Sequence, residues 1–125
     1  MGKRADGTLE RIYQHDLVTC FRSIGTLVLN LHGHMMQAPG WPDLYVAHWK
    51  WAGWLELKTE KDEPTTLQAQ VIRDLKRRGV PAFVARLRGA TEVIEDECGS
   101  ELIFGWGGSA LERLQALRSL GLGRL

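Results

Sequence analysis

The chain has 125 residues, 44% of them hydrophobic and 25% charged, with a formal net charge of +1. These values describe one ordinary soluble domain of modest core, and the net charge by itself argues neither for nor against a nucleic-acid partner. No apolar run approaches the roughly 20 residues of a membrane span, and the polar start Met1–Thr8 lacks the apolar segment of a signal peptide. The two cysteines, Cys20 and Cys98, stand far apart in no metal-ligand spacing. They read as reduced thiols of a cytoplasmic protein.

In chain order, Thr8 to Phe21 is predicted helical, with Leu9, Ile12, Tyr13, Leu17 and Cys20 at three- and four-residue spacings and Thr8 as cap. Thr26 to Leu31 is rich in branched and apolar residues and reads as a strand. A loop with Gly33 and Pro39 follows. Two further strands, Asp43 to His48 and Gly53 to Thr59, are expected around a turn at Lys50–Gly53. After a charged loop, Thr65 to Arg78 is the clearest helix, with Leu67, Val71, Ile72 and Leu75 as its apolar stripe and Gly79 as its stop. Val80 to Arg86 is the next strand, with Pro81 near its start where a missing N–H is tolerated. Strand, helix and strand in this order predict a right-handed parallel crossover. In the C-terminal third, Thr91–Glu95 and Glu101–Gly105 are expected to pair as a hairpin. Ser109 and Glu112 form a capping box that opens a last helix carrying Leu111, Leu114 and Leu117.

The chemistry concentrates at Gly40-Trp41-Pro42-Asp43 and Glu56-Leu57-Lys58. Side chains alternate along a strand, so Glu56 and Lys58 share one face and Leu55 and Leu57 the other. A hairpin brings Asp43 beside Glu56. Two carboxylates with one cation around a point suit a Mg²⁺ or Mn²⁺ site for phosphodiester hydrolysis. Asp43 alone reads as a turn residue. Glu56 is out of place between two leucines, although a solvated sheet face with Lys58 as partner is the plain alternative.

The order Asp, turn, Glu-x-Lys, helix, strand resembles the PD-(D/E)xK nuclease superfamily, and most closely its VRR-NUC family in the short stand-alone form of phage and bacterial genes. The residues that carry the resemblance are Gly40, Pro42, Asp43, Glu56, Lys58, Gln68 and the glycine-terminated helix before the strand at Val80 to Arg86. It covers about Gly40 to Arg86, extends weakly to Glu10 in the first helix, and says little of 88–125. The resemblance implies an α/β, restriction-endonuclease-like core, a mixed central sheet flanked by helices, spanning 1–125 as one nuclease domain. It implies a homodimer that cleaves branched DNA, such as four-way junctions, in the cytoplasm of a bacterium or of a phage-infected host, with no membrane partner.

In that reading Asp43 and Glu56 bind Mg²⁺ or Mn²⁺ with the carbonyl of Leu57 and waters, and Glu10 joins directly or through water. Lys58 orients or deprotonates the attacking water, or stabilises charge on the phosphate. Glu10 is otherwise a solvated helix residue. Gln68 either sits near Lys58 or only closes the helix start with Thr65; Gln70 faces solvent. Lys76, Arg77, Arg78, Arg86 and Arg88 are candidates for phosphate contact, although cations at a helix end also suit its dipole. Trp41, Trp49, Trp51 and Trp54 read as core or interface, while Trp41 is also placed to stack on an unpaired base. His32 and His34 lack a third metal ligand at useful spacing. The Gly105–Gly108 run lacks the context of a phosphate-binding loop. Alternative readings are a non-catalytic DNA-binding or assembly module of the same fold, or a nuclease acting on flaps or a specific duplex site.

Overall fold

The computed structural model describes residues 6–31, 38–49, 51–59, 62–89, 91–95, 101–105, 109, 111–113 and 115, with backbone alone at 6–9, 51 and 101–105. The expectations for His32, His34, Lys50, Cys98, Leu114, Leu117 and the glycine run at 106–108 lie outside the described residues, as does that for the Trp51 side chain. Among the described residues the order is α1 (Asp6–Arg22), β1 (Leu27–Asn30), β2 (Leu44–His48), β3 (Trp51–Thr59), α2 (Thr66–Arg77), β4 (Ala82–Arg88), β5 (Thr91–Glu95) and β6 (Glu101–Gly105). The six strands form one sheet in sequence order. Only β3 and β4 run parallel, joined by α2; every other neighbouring pair is antiparallel. The mixed α/β core with flanking helices is thus present.

The two faces of the sheet are covered differently. On one, Tyr13, Leu17, Val18 and Phe21 of α1 pack onto Leu44, Val46, Leu55, Leu57, Phe83, Ala85, Leu87 and Ile94. On the other, Ile72 and Leu75 of α2 pack onto Ala82 and Val84, with Trp41, Trp54, Val71 and Val80 at the edge. Tyr13, Leu17 and Cys20 of α1 face the core as expected, and the stripe departs from the expected one at Ile12. Ile12 is exposed, while Tyr13, Leu17 and Phe21, spaced by four, form the inward row.

The inward row of α1 also carries a polar network. The Tyr13 hydroxyl donates to Glu92 Oε2 at 2.6 Å, and Arg113 Nε donates to Glu92 Oε1 at 2.9 Å. Arg113 Nη1 also reaches Cys20 Sγ at 3.0 Å. Burial, then the adjacent Glu92 carboxylate, push the Tyr13 hydroxyl well above the usual range of a phenol. Burial disfavours the Arg113 cation, but Glu92 more than compensates and its pKa rises. The network staples α1, β5 and the C-terminal helical residues. Ser109 caps those residues as expected, accepting from the Glu112 backbone N–H at 3.1 Å.

Some boundaries shift. β3 begins at Trp51, so the hairpin turn is shorter than expected, and the Trp51 to His48 pairing takes up the residues assigned to it. β4 begins at Ala82. The Val80 N–H still closes the helix end on the Leu75 carbonyl, and Pro81 serves the ladder only as acceptor, from Trp54 N–H at 2.9 Å. α2 carries its capping box, with Thr65 Oγ1 accepting from Gln68 N–H and Gln68 Oε1 accepting from Thr65 N–H.

Gly40 holds the approach to β2. Its φ is +84°, and a Cβ there would stand 2.5 Å from Leu67 Cγ. Gly25 has the same sign of φ (+85°) with open space around it. Gly40→Ala is therefore expected to destabilise by roughly 1–3 kcal/mol more than Gly25→Ala, since overpacking adds to the backbone strain. Equal midpoint shifts of the two variants in urea unfolding would rule out the close packing of Gly40 against α2. Arg113→Ala is expected to cost about 3–5 kcal/mol, because it strands the Glu92 carboxylate in the core. A loss below about 1 kcal/mol by the same measurement would mean that the network contributes little.

Candidate active site

β2 and β3 pair with Leu44 opposite Leu55. One step toward the loop, Asp43 falls level with Glu56. Its carboxylate is fixed there because Oδ2 accepts the Leu57 backbone N–H at 2.9 Å. Leu55 and Leu57 enter the α1 side of the core, so Glu56 and Lys58 project to the α2 side as alternation requires. Asp43, Glu56 and Lys58 are all buried, at 5%, 2% and 7% exposure. Three charged side chains thus share one small volume beneath the sheet surface.

The electrostatics of that volume are unbalanced. Lys58 Nζ lies 3.5 Å from Glu56 Oε2. Glu56 Oε1 is buried and has no hydrogen-bond partner among the described residues. Burial raises the Glu56 carboxyl most, Asp43 raises it further, Lys58 offsets part of this, and Glu10 adds a smaller upward push; the result is about 8. Glu10 of α1 therefore lies close enough to act on the Glu56 charge.

Lys58 has a second partner. Its Nζ lies 3.7 Å from Asp62 Oδ2. The Asp62 side chain is 57% exposed, so the site opens toward solvent on this side. Arg86, directly opposite Lys58 in the β3–β4 register, holds the same loop. Its guanidinium donates to the Asp62 carbonyl, to Glu63 Oε1 at 3.1 Å and to Glu95 Oε2 at 3.2 Å.

The expected residues divide accordingly. Asp43, Glu56 and Lys58 come together, with Leu57 between them and Glu10 near by. Arg86 corrects the expectation of a phosphate contact: it is 1% exposed and spends its donors inside the protein. Arg88 is about half exposed beside Glu95, at the end of β4 nearest Lys58. Lys76, Arg77 and Arg78 end α2 at the opposite end of the sheet, where β4 begins. Both described hydrogen bonds of Gln68 close the start of α2, and neither reaches Lys58. Gln70 is exposed. Trp41 packs edge-on to Trp54, with ring centroids 5.3 Å apart, whereas Trp49 is 75% exposed. Asp62, Glu63 and Glu95 escaped the sequence reading, because nothing local marks which exposed-looking acid meets a buried cation. Glu92 carried the signal that singled out Glu56, an acid flanked by strand residues.

Among the described residues no three Asp, Glu, His or Cys side chains form a metal-ligand cluster. A divalent cation at Asp43 and Glu56 needs backbone and water oxygens to complete its shell. The orphan Oε1 and the mutual repulsion of the two carboxylates fit such an ion, which would supply the missing positive charge.

No protein-family model matches the sequence, and no curated protein matches it. Among solved structures, the chain is similar to Hjc, a Holliday junction resolvase from the archaeal hyperthermophile Archaeoglobus fulgidus. The identity is 16%, the TM-score 0.48, and the alignment covers 75% of this chain and 73% of that one.

In the absence of metal, folding takes up a proton at Glu56 between its ordinary value of 4.5 and about 8. The native state then binds more protons than the unfolded one, so this group's stabilising contribution falls as pH rises through that window and levels off above it. Glu56→Gln is expected to flatten the decline and to be more stable than the parent at pH 8 and above in EDTA. Thermal unfolding from pH 5 to 9 measures this. Parallel curves for parent and variant would show that the native carboxyl is not raised.

Proposed function

We propose that the chain is a metal-dependent nuclease that hydrolyses DNA phosphodiesters at Asp43, Glu56 and Lys58. The observation that carries this reading is Glu56: a buried carboxylate beside a second one, with one oxygen unpartnered among the described residues and a lysine at 3.5 Å. Beside a purely structural ion pair, a second carboxylate raises the cost of burying the first. Asp43 and Glu56 would hold Mg²⁺ or Mn²⁺ with the Leu57 carbonyl. When bound, the ion supplies charge neutralisation and polarisation of a phosphoryl oxygen.

This chain's own groups do the rest. Asp43 is held rigid by the Leu57 N–H, and Glu56 by its place in β3. Lys58 Nζ is positioned to take or give a proton at the attacking oxygen, or to stabilise charge growing on the phosphate. Branched DNA as substrate and a two-fold dimer as the acting form come from the motif resemblance of Gly40–Asp43 and Glu56–Lys58. A C2 dimer would present two equivalent sites for paired cuts.

A second reading, a non-catalytic DNA-binding module, is favoured by one observation: no three-ligand metal cluster exists among the described residues. Cleavage of labelled four-way junction, flap and plain duplex, with Mg²⁺, Mn²⁺ or EDTA, separates the two. Asp43→Ala, Glu56→Ala and Lys58→Ala are each expected to lower the metal-dependent rate by at least about 10²-fold, with native circular dichroism. Cutting of junction and duplex alike would keep the site and remove the branched-DNA claim. DNA binding with no cutting by the parent chain, unchanged in Glu56→Ala, would make the module reading correct.

A further inference from the structure

An open groove of about 280 Å³ runs along α2, lined by Trp41, Val71, Asp74, Leu75 and Arg78. That volume lies near the lower end for small-ligand clefts, roughly 300 Å³. We propose that this groove seats an unpaired nucleobase of the DNA, so that the protein selects strands whose bases can leave the stack. The inference deepens the nuclease reading by naming a feature of its substrate.

The wall chemistry points to an aromatic guest. The Trp41 indole is held edge-on by Trp54 at 5.3 Å and 62° between planes, so its orientation is set before anything binds. Val71 and Leu75, one helical turn apart, give an apolar floor. Stacking on a fixed aromatic ring is the sequence-tolerant way to hold a base. The rim chemistry points to a phosphate-bearing guest rather than an apolar side chain of another protein. Arg78 lines the groove and is exposed; its Nη1 donates to the Asp74 carbonyl at 2.9 Å, which fixes the guanidinium at the rim. Arg77 beside it is 68% exposed and lies 3.8 Å from the Asp74 carboxylate. Asp74 adds an acceptor on the rim for an N–H of an unpaired base, such as thymine N3–H.

Position supports the same conclusion. Trp54 and Glu56 share a face of β3 two residues apart, about 7 Å along the strand. Trp41 precedes Asp43 by two residues. A base in the groove therefore belongs to a nucleotide close to the one whose phosphate reaches Asp43 and Glu56. The cations at the end of α2, far from Lys58, gain a role that the reaction centre itself does not give them.

The test is fluorescence anisotropy in EDTA with three labelled probes: an oligothymidylate strand, an abasic strand of equal length, and a blunt duplex. The parent chain is expected to bind oligothymidylate about tenfold tighter than the abasic strand. Val71→Trp, which fills the groove, and Arg78→Ala, which is exposed and leaves the core intact, are each expected to weaken oligothymidylate binding several-fold or more. Both should change duplex binding less than twofold. Equal affinity of the parent for the thymidylate and abasic strands overturns the proposal. So does unchanged thymidylate binding by both variants. Metal-dependent cutting without the base effect would leave the nuclease reading standing and remove the groove. A base effect in a chain that cuts no DNA would do the reverse.

Discussion

The register of the β2–β3 hairpin governs the rest of the molecule. With Leu44 opposite Leu55, the leucines at 55 and 57 complete the α1 core and the charges at 56 and 58 turn toward α2. A slip of one residue would reverse every side chain of β3. Glu56 and Lys58 would then enter a cluster of Tyr13, Leu17 and Phe21, and two leucines would replace the site. Two contacts outside the ladder help hold the register. Asp43 takes the Leu57 N–H, and Gly40 lets its loop close against Leu67 of α2. Asp43 and Gly40 of the candidate site therefore also align the strands that present it.

Each face of the sheet buries a charge system, and the difference between them is informative. On the α1 face Glu92 has a hydroxyl on one oxygen and a guanidinium on the other. Both acceptors are used, as a buried carboxylate requires. On the α2 face Glu56 has a lysine on one oxygen and, among the described residues, no partner on the other, and a second carboxylate stands beside it. The same chain thus shows what a completed structural ion pair looks like. Against that internal standard Glu56 is under-satisfied. Its uncompensated burial is a local cost that the surrounding core must offset, and such costs are kept where function needs them.

The legibility of the sequence followed the range of each interaction. Period-two alternation placed Glu56 and Lys58 on one face because it depends only on neighbouring residues. The capping boxes at Thr65 and Ser109, the glycine stop of α2 and the hairpin of β5 and β6 were visible for the same reason. Long-range pairing was not. Arg86 resembled the other cations near it in sequence, yet register sets it opposite Lys58 and under Glu63 and Glu95. Glu92, the partner of the Tyr13 hydroxyl of α1, stands 79 residues away. Gln68 carried two readings in sequence, and its bonds follow the local one, closing the helix start.

Arg86 also bears on how Lys58 is held. A lysine facing only Glu56 would be drawn flat against that carboxylate. Instead the Asp62 carboxylate, 3.7 Å from Nζ, draws it toward the open side. Asp62 lies in the exposed segment after β3, and Arg86 ties that segment down through the Asp62 carbonyl and Glu63. Glu95 of β5 in turn takes the Nε–H of Arg86 and pairs with Arg88. The ammonium is thus suspended between two carboxylates whose spacing is fixed by a guanidinium anchored in the sheet. A lysine so held keeps its charge near Glu56 while its tip faces the exposed Asp62 side. The buried cation that sequence assigned to phosphate contact serves instead to set the geometry around Lys58.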